Sequence, residues 1–184
     1  MSDNRRQFLR SLGFAGAASL LPFSNLLAFG NGNPGEGFVI NEEDQETYLI
    51  GPRRAPVTIM VDKSRKNVNS FSLCREEIVP QDGIPVHKHL NEDELIYIQY
   101  GSGVFTLGEQ QYQVKAGSAM YVPKGIWHGI MNNGTENIRM VFSFTPSGFE
   151  NYFREIGVPQ GSTQQKQFDW NAIDKKYGIV YKGR

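Results

Sequence analysis

Two short stretches decide the fold of this chain: residues 87–94, HKHLNEDE, and residues 117–132, GSAMYVPKGIWHGIMN. Together they contain all three histidines of the 184-residue chain. Histidines that served only packing or surface roles would not be confined to two motifs. Their placement therefore indicates that the three side chains act together at one site.

The spacing of His87 and His89 puts both imidazoles on one side of the chain if this segment is a strand. Residues i and i+2 of a strand point to the same face, about 7 Å apart along it. Two such side chains can converge on one ion. Taken alone, however, the pair is better explained as two surface histidines.

Glu94 and His128 extend the histidine pair to a candidate set of four metal ligands. Glu94 follows a polar bend and heads the next apolar run, from where its carboxylate can fold back toward the imidazoles. His128 follows a Pro-x-Gly corner, which suits a strand that turns and then presents a side chain inward. Three neutral imidazoles and one carboxylate suit one divalent transition metal, namely Fe, Mn, Ni, Co, Cu or Zn. Four protein ligands leave one or two coordination positions open, as catalytic sites require.

The rest of the chain is dominated by short apolar runs between turn residues, with no helical pattern among them. Such spacing predicts an all-β antiparallel sandwich or barrel. Gly108-Glu109 predicts a turn between two strands, and Asn133-Gly134 is a strong hairpin signal. The predicted strands lie in residues 57–61, 95–100, 104–107, 111–114, 119–122 and 138–144.

Helical signals come only after Pro146. Residues 147–150, SGFE, fit a capping box, and the apolar residues from Phe149 to Ile156 share one helical face. A second short helix is predicted at about Trp170 to Tyr177. We expect both helices to pack against the outside of the barrel, with their apolar stripes serving as core.

The two opening stretches resemble the paired motifs of the cupin superfamily, Gly-x5-His-x-His-x(3,4)-Glu-x6-Gly and Gly-x5-Pro-x-Gly-x2-His-x3-Asn. The second motif is matched at every fixed position, from Gly117 to Asn132. The first departs only at its opening glycine, where this chain has Gln81 and places Gly83 two residues later. That glycine makes a turn and binds no metal. The resemblance covers about residues 51–146.

The resemblance implies a double-stranded β-helix, a jelly-roll cupin barrel with a metal at its centre, followed here by a short C-terminal helical extension. Carried over residue by residue, the metal ligands are His87, His89, Glu94 and His128. The ending of the chain also resembles a bacterial subgroup labelled quercetin-dioxygenase-like, a label that guides substrate only weakly. A homodimer is a further expectation from the family.

Strand alternation predicts which apolar side chains accompany the metal. If Glu94 points inward, so do Ile96 and Ile98, and similar parity arguments apply along two other strands. An apolar pocket would suit an aromatic or aliphatic ligand and exclude water. Residue by residue, barrel core remains the more ordinary role. The predicted pocket residues are Ile96, Ile98, Met120, Val122, Phe142 and Phe144.

Three functions are compatible with such a site. The leading hypothesis is a metal-dependent oxidoreductase, dioxygenase-like, in which a small aromatic or organic-acid substrate and O₂ share the open positions and Glu94 is both ligand and proton acceptor. A metal-dependent isomerase, epimerase or lyase that acts on a sugar or an organic acid would instead use the metal only as a Lewis acid. A non-catalytic binding or sensing protein would use the barrel as a ligand cup.

Residues 1–28 have the layout of an export signal. Arg5 and Arg6 precede an uncharged, weakly apolar stretch, an order that resembles the bacterial twin-arginine (Tat) class and predicts a periplasmic or other extracytoplasmic protein. Cleavage is expected near Ala28, and retention as a membrane tether is the alternative. The expected organisation is therefore 1–28 signal, 29–50 linker and N-terminal segment, 51–146 barrel and 147–184 helical extension.

Charge and cysteine content narrow the partners. Of 19 basic and 19 acidic residues, three arginines and one aspartate lie in residues 1–28, which leaves a net charge of −2 for the remainder. Nothing in that balance favours nucleic acid, which requires a concentrated basic face. The expected partner is a small-molecule substrate, with no membrane contact unless the signal is retained. Cys74 is the only cysteine, so no intramolecular disulfide can form.

Overall fold

The computed structural model describes residues 37–163 and 166–183. All of them belong to one unit, Gly32–Arg184. The predicted export signal, residues 1–28, and the first part of the predicted linker lie outside the described residues. Within the described ranges, no helix is both long enough and apolar enough to span a membrane.

The described residues form two antiparallel sheets. The larger sheet has the strand order β11-β1-β2-β3-β10-β5-β8, and the smaller sheet has the order β12-β4-β9-β6-β7. The strands are β1 (Glu46–Ile50), β2 (Ala55–Val61), β3 (Ser72–Ile78), β4 (Gly83–His89), β5 (Asp93–Tyr100), β6 (Ser102–Leu107), β7 (Gln110–Lys115), β8 (Ala119–Val122), β9 (His128–Met131), β10 (Ile138–Thr145), β11 (Val158–Pro159) and β12 (Ile179–Tyr181). The helices are α1 (Lys63–Lys66), α2 (Glu150–Ile156) and α3 (Trp170–Tyr177). This confirms the predicted all-β class with a C-terminal helical extension.

Period-two alternation explains why the central strands form and where their core lies. Along β10, every second residue from Ile138 to Phe144 is buried, and the residues between are only partly buried. The neighbouring strand β5 buries Glu94, Ile96 and Ile98 in the same way. Alternate side chains of a strand point to one face, so these residues line the space between the two sheets. Burial of each large apolar side chain contributes roughly 1.5–3 kcal/mol.

The connections differ in part from the predicted ones. Gly108-Glu109 joins β6 and β7 in a hairpin, as expected. Asn133-Gly134 does not make a hairpin, because β9 pairs with β4 and β6 whereas β10 pairs with β3 and β5. The turn therefore carries the chain from one sheet to the other. Strands β1 and β12 also extend the sheets beyond residues 51–146.

Helix α3 begins and ends at the predicted residues. The Asp169 side chain accepts a hydrogen bond from the Ala172 amide at 3.1 Å, which caps its first turn. Gly178 ends it in the left-handed conformation, with φ of 65°, a conformation that glycine adopts without steric cost. A Cβ atom added at Gly178 would clash with the side-chain amide nitrogen of Asn91. The helix end therefore packs closely against the β4–β5 connection.

The sequence predicted that helix α2 would pack against the outside of the barrel. In the structure, the start of this helix also contacts the interior. Phe149, at its start, is 2% exposed. Its ring centroid lies 4.6 Å from that of Phe144, which points into the space between the sheets. The apolar face of α2 therefore closes one part of the interior.

Candidate metal centre

Three strands from both sheets bring the four predicted ligands together. His87 and His89 lie on β4, and His128 begins β9 in register with His87. Glu94 comes from β5 of the larger sheet. All four are buried, with exposed fractions of 6, 3, 2 and 5% for His87, His89, His128 and Glu94. The β4–β5 connection joins the two sheets, so one continuous segment supplies ligands from both of them.

The ligand atoms converge closely. One nitrogen of each histidine and one oxygen of Glu94 all lie within 4.8 Å of one another. The Nε2 atoms of His87 and His89 are 3.2 Å apart. The Glu94 Oε2 atom is 2.8 Å from His128 Nε2 and 3.6 Å from His89 Nε2. One ion placed among these atoms would contact all four residues.

Backbone carbonyls fix the orientation of two of the rings. His87 Nδ1 is 2.8 Å from the Pro85 carbonyl oxygen, and His128 Nδ1 is 3.0 Å from that of Ile126. A carbonyl oxygen can only accept, so each Nδ1 carries the proton in the neutral ring. The Nε2 lone pairs then point toward the other ligands. Metal-binding histidines use this arrangement to select their tautomer and direction.

The donor set fits a metal ion. Glu94 Oε2 and His128 Nε2 are buried, and neither makes a hydrogen bond of good geometry despite their close approach. Buried polar atoms without partners are rare and costly. A cation would satisfy both of them and the converging lone pairs. His87, His89, Glu94 and His128 could thus hold one divalent transition metal through three nitrogens and one oxygen.

In the metal-free site, the protonation states of His87 and Glu94 favour metal binding. Burial, helped by the charges of His128 and His89, lowers the pKa of His87 to about 3, so that its ring is neutral. Burial opposes ionisation of Glu94, but its contacts with His128 and His89 hold the pKa well below the usual range. For His128, burial is outweighed by the nearby Glu94 carboxylate, and the pKa is raised. A metal would displace any proton that His128 holds.

A small, mainly apolar cavity of about 20 Å³ lies directly beside the ligands. Of the six predicted pocket residues, Ile96 lies on its wall. Ile98, Met120, Val122, Phe142 and Phe144 are buried but do not line it. The cavity is lined by Ile84, His87, Glu94, Ile96, Phe105, His128, Gly129, Ile130 and Met140.

Sequence reasoning missed several residues that surround the site. Ile84 and Ile130 come from paired positions on β4 and β9, and Phe105 comes from β6, so their approach depends on strand order. Phe149 lies 4.2 Å from His89 between ring centroids, and Tyr181 lies 5.7 Å from His87. Only the apolar pattern of the C-terminal residues hinted at these last two. That pattern indicates burial without identifying the neighbour.

The fold and the site define a class of protein, the jelly-roll barrels with a candidate metal site between their sheets. Residues 74–144 match the model of the Cupin_2 family, described as a cupin domain. An oxalate-binding protein of Thermotoga maritima is 31% identical over 112 residues, which cover 58% of this chain and 93% of that protein. The chain therefore belongs to the cupin family.

Two further proteins are similar to this chain. An uncharacterized protein of Methanocaldococcus jannaschii is 34% identical over 77 residues, 41% of this chain and 62% of that protein. The chain thus spans less than two thirds of that relative. A crystal structure from Thermotoga maritima, described as a predicted oxalate decarboxylase, has a TM-score of 0.51 and 22% identity. The superposition covers 59% of this chain and 99% of the other, and it supports the fold.

Proposed function

We propose that this protein is a metal-dependent oxidoreductase that acts on a small organic acid at the site formed by His87, His89, Glu94 and His128. The observation that carries the proposal is the convergence of four buried ligand atoms beside a small apolar cavity. An open coordination position next to such a cavity is the arrangement of a catalytic metal site. The finer dioxygenase-like assignment is part of the same proposal.

The size of the cavity favours a small substrate. Pockets for drug-sized ligands occupy about 300–1,000 Å³, and the cavity here measures about 20 Å³. Such a space holds about one water, so an acid with few heavy atoms requires less widening of the cavity than a multi-ring aromatic compound. The Thermotoga maritima relative is named for binding oxalate, an acid of this size.

The chemistry of the cavity wall indicates how an acid would bind. Among the residues that the structure describes, the only ionisable ones on this wall are the ligands His87, Glu94 and His128. Since no described lysine or arginine lines the cavity, a carboxylate group would be anchored by the metal. A bound transition metal supplies Lewis acidity and redox activity. The apolar wall excludes water, and Glu94 lies on that wall within reach of a substrate proton.

One relative favours a second candidate, a binding protein without turnover. The Thermotoga maritima protein is named for binding oxalate, and its name includes no reaction. A small apolar cavity beside a metal would serve a ligand cup equally well. The two candidates share the metal and the acid and differ only in whether product forms.

Metal analysis followed by turnover measurements tests the proposal. We expect the purified full chain to retain about one transition metal and to consume O₂ as it converts oxalate or another small acid to product. The double variant His87→Ala/His128→Ala should lose the metal and the activity. Absence of stoichiometric metal in the wild-type protein would overturn the proposal. Tight acid binding without product would favour the ligand cup, and turnover without oxygen would favour a lyase or isomerase.

We also propose export through the twin-arginine pathway, supported by the Arg5-Arg6 pair and the uncharged stretch behind it. Localisation of the full chain in bacterial fractions tests it. Substitution of both arginines by lysine should keep the protein in the cytoplasm, because the receptor reads this pair as an address. Unchanged localisation of that variant would contradict export by this route.

A further inference from the structure

The last strand of the chain lies beside the strand that carries two of the candidate ligands. Strand β12 pairs with β4 so that Tyr181 is directly opposite His87. Directly opposite residues of an antiparallel pair share a face, and the two ring centroids are 5.7 Å apart. The His128 ring lies 4.2 Å from the same imidazole. His87 therefore packs between another ligand and a residue of the C-terminal extension.

Two further residues fix the position of the Tyr181 ring. Its hydroxyl oxygen is 3.1 Å from that of Tyr152, and the Tyr152 hydroxyl donates to Asp174 at 3.3 Å. A phenol has one proton to donate, so Tyr181 donates to Tyr152. Tyr152 is 3% exposed, which shields this network from water. The network links β12, α2 and α3.

The network lies outside the region that defines the family. Residues 74–144 match the cupin model, whereas Tyr152, Asp174 and Tyr181 all follow it. Tyr181 also does not line the cavity beside the metal site. Its contact is with the ligand, and its effect on the metal must pass through His87.

We propose that Tyr181 is a positioning residue of the metal centre, which holds the His87 ring in its ligating orientation and is itself held by Tyr152 and Asp174. One hydrogen bond to the backbone, from Nδ1 to the Pro85 carbonyl, restrains the His87 ring, and its Nε2 atom lies 3.2 Å from that of His89. Contacts at the ring nitrogens do not fix the plane of the ring, and the neighbouring rings of Tyr181 and His128 limit its tilt. The inference rests on the metal-binding part of the proposed function.

Titration of the full chain with Co²⁺ as the only metal tests the inference. Loss of a partner that orients a ligand weakens metal binding by about 10- to 100-fold. We expect Tyr181→Ala to weaken Co²⁺ binding to this extent and to change the visible ligand-field bands. Tyr181→Phe keeps the ring and should restore most of the affinity, with a residual loss of about three- to tenfold from the missing hydrogen bond. Tyr112→Ala, on an exposed side chain of β7, is the matched control.

The isosteric variants keep the test valid if Tyr181→Ala fails to fold. Tyr152→Phe removes the hydrogen bond to Tyr181 and also the one to Asp174, so we expect a loss of affinity at least as large as that of Tyr181→Phe, and the two losses should not be additive in the double variant. A role in core packing alone would lower the stability of the metal-free protein and leave the Co²⁺ affinity and bands unchanged. That result would overturn the inference. A wild-type protein that binds no Co²⁺ would instead overturn the proposed function, and the inference with it.

Discussion

Each of the four candidate ligands is an ionisable side chain buried between two sheets. Burial of such a group costs free energy unless a hydrogen bond, an opposite charge or a metal compensates for it. His87 and His128 each have a backbone carbonyl for one ring nitrogen. The ring nitrogens and the carboxylate oxygen that face inward lie close mainly to one another. A metal ion would convert this costly arrangement into a stabilising one.

The contribution of a single ligand can be measured on His128. We expect His128→Gln to weaken Co²⁺ binding by more than about 100-fold, the upper limit for partners that only orient a ligand, because a direct ligand is lost. Lys88→Ala is a suitable control, since Lys88 lies between His87 and His89 but extends over the Trp127 ring on the other face. Equal affinities of His128→Gln and wild type would contradict the assignment.

Glu76 gives a prediction for pH dependence. Burial, reinforced by the charges of Glu94 and Asp82, raises its pKa to about 8. A raised folded-state pKa disfavours the ionised form, so the free energy of unfolding falls as pH rises from about 4.5 toward 8. Each unit of difference corresponds to about 1.4 kcal/mol. In the metal-free protein, Glu76→Gln should be more stabilising at pH 8.5 than at pH 5, by on the order of 4 kcal/mol.

The adjacent Glu77 serves as a control of opposite sign. It points to the other face of β3, and despite partial burial its hydrogen bonds with Arg139 and Tyr100 lower its pKa. Glu77→Gln should therefore destabilise the protein near neutral pH, and the effect should diminish in acid. Urea unfolding across this pH range measures both variants. Parallel pH profiles for wild type and Glu76→Gln would show that the Glu76 pKa is unshifted.

At the scale of the elements, the close approach of β4 and β9 sets the spacing of the histidines. Gly129 follows His128, and a Cβ added there would lie 2.8 Å from the Ile84 carbonyl oxygen and 3.1 Å from Val86 Cα. These are backbone atoms that cannot rotate away. Only glycine permits the two strands to pair at this distance. The sequence motif specifies the histidine, and the strand pair requires the glycine beside it.

We therefore expect Gly129→Ala to push β9 away from β4 and to lower both stability and metal affinity. The stability loss should fall in the 1–3 kcal/mol range that is usual for overpacking. Gly134→Ala is the matched control, because a Cβ there has its nearest neighbour at 3.4 Å, the Asn132 side-chain oxygen. Thermal unfolding and Co²⁺ titration of both variants provide the comparison. Wild-type affinity in Gly129→Ala would show that the strand spacing does not control the site.

At the scale of the whole molecule, the site joins the two sheets. Glu94 belongs to the larger sheet and the histidines to the smaller one, so a shared ion would resist their separation. A ligand that binds only the folded state stabilises it by RT ln(1 + [L]/Kd), about 2.7 kcal/mol at 100 times Kd. We expect Co²⁺ to raise the unfolding temperature and a chelator to lower it. The double variant His87→Ala/His128→Ala should show neither change.

Much of the fold and of the ligand set could be predicted from local chemistry and residue spacing. The i, i+2 relation of His87 and His89, the alternation along β10 and the signals around α3 depend on neighbours within a few residues. The structure accordingly contains these strands, that helix and the predicted meeting of four ligands. Each follows from properties of a short segment, which the sequence states directly.

Contacts between distant segments required the tertiary structure. Asn133-Gly134 is a good turn, but only the strand order determines that it joins different sheets. Likewise, the spacing of an apolar residue predicts that it is buried. Which side chains it contacts depends on which strands pair across the barrel. Ile84, Phe105 and Tyr181 reach the site through such pairings. The amino-acid sequence thus determined which residues can bind a metal, while long-range packing decided what surrounds it and how much space is left for a substrate.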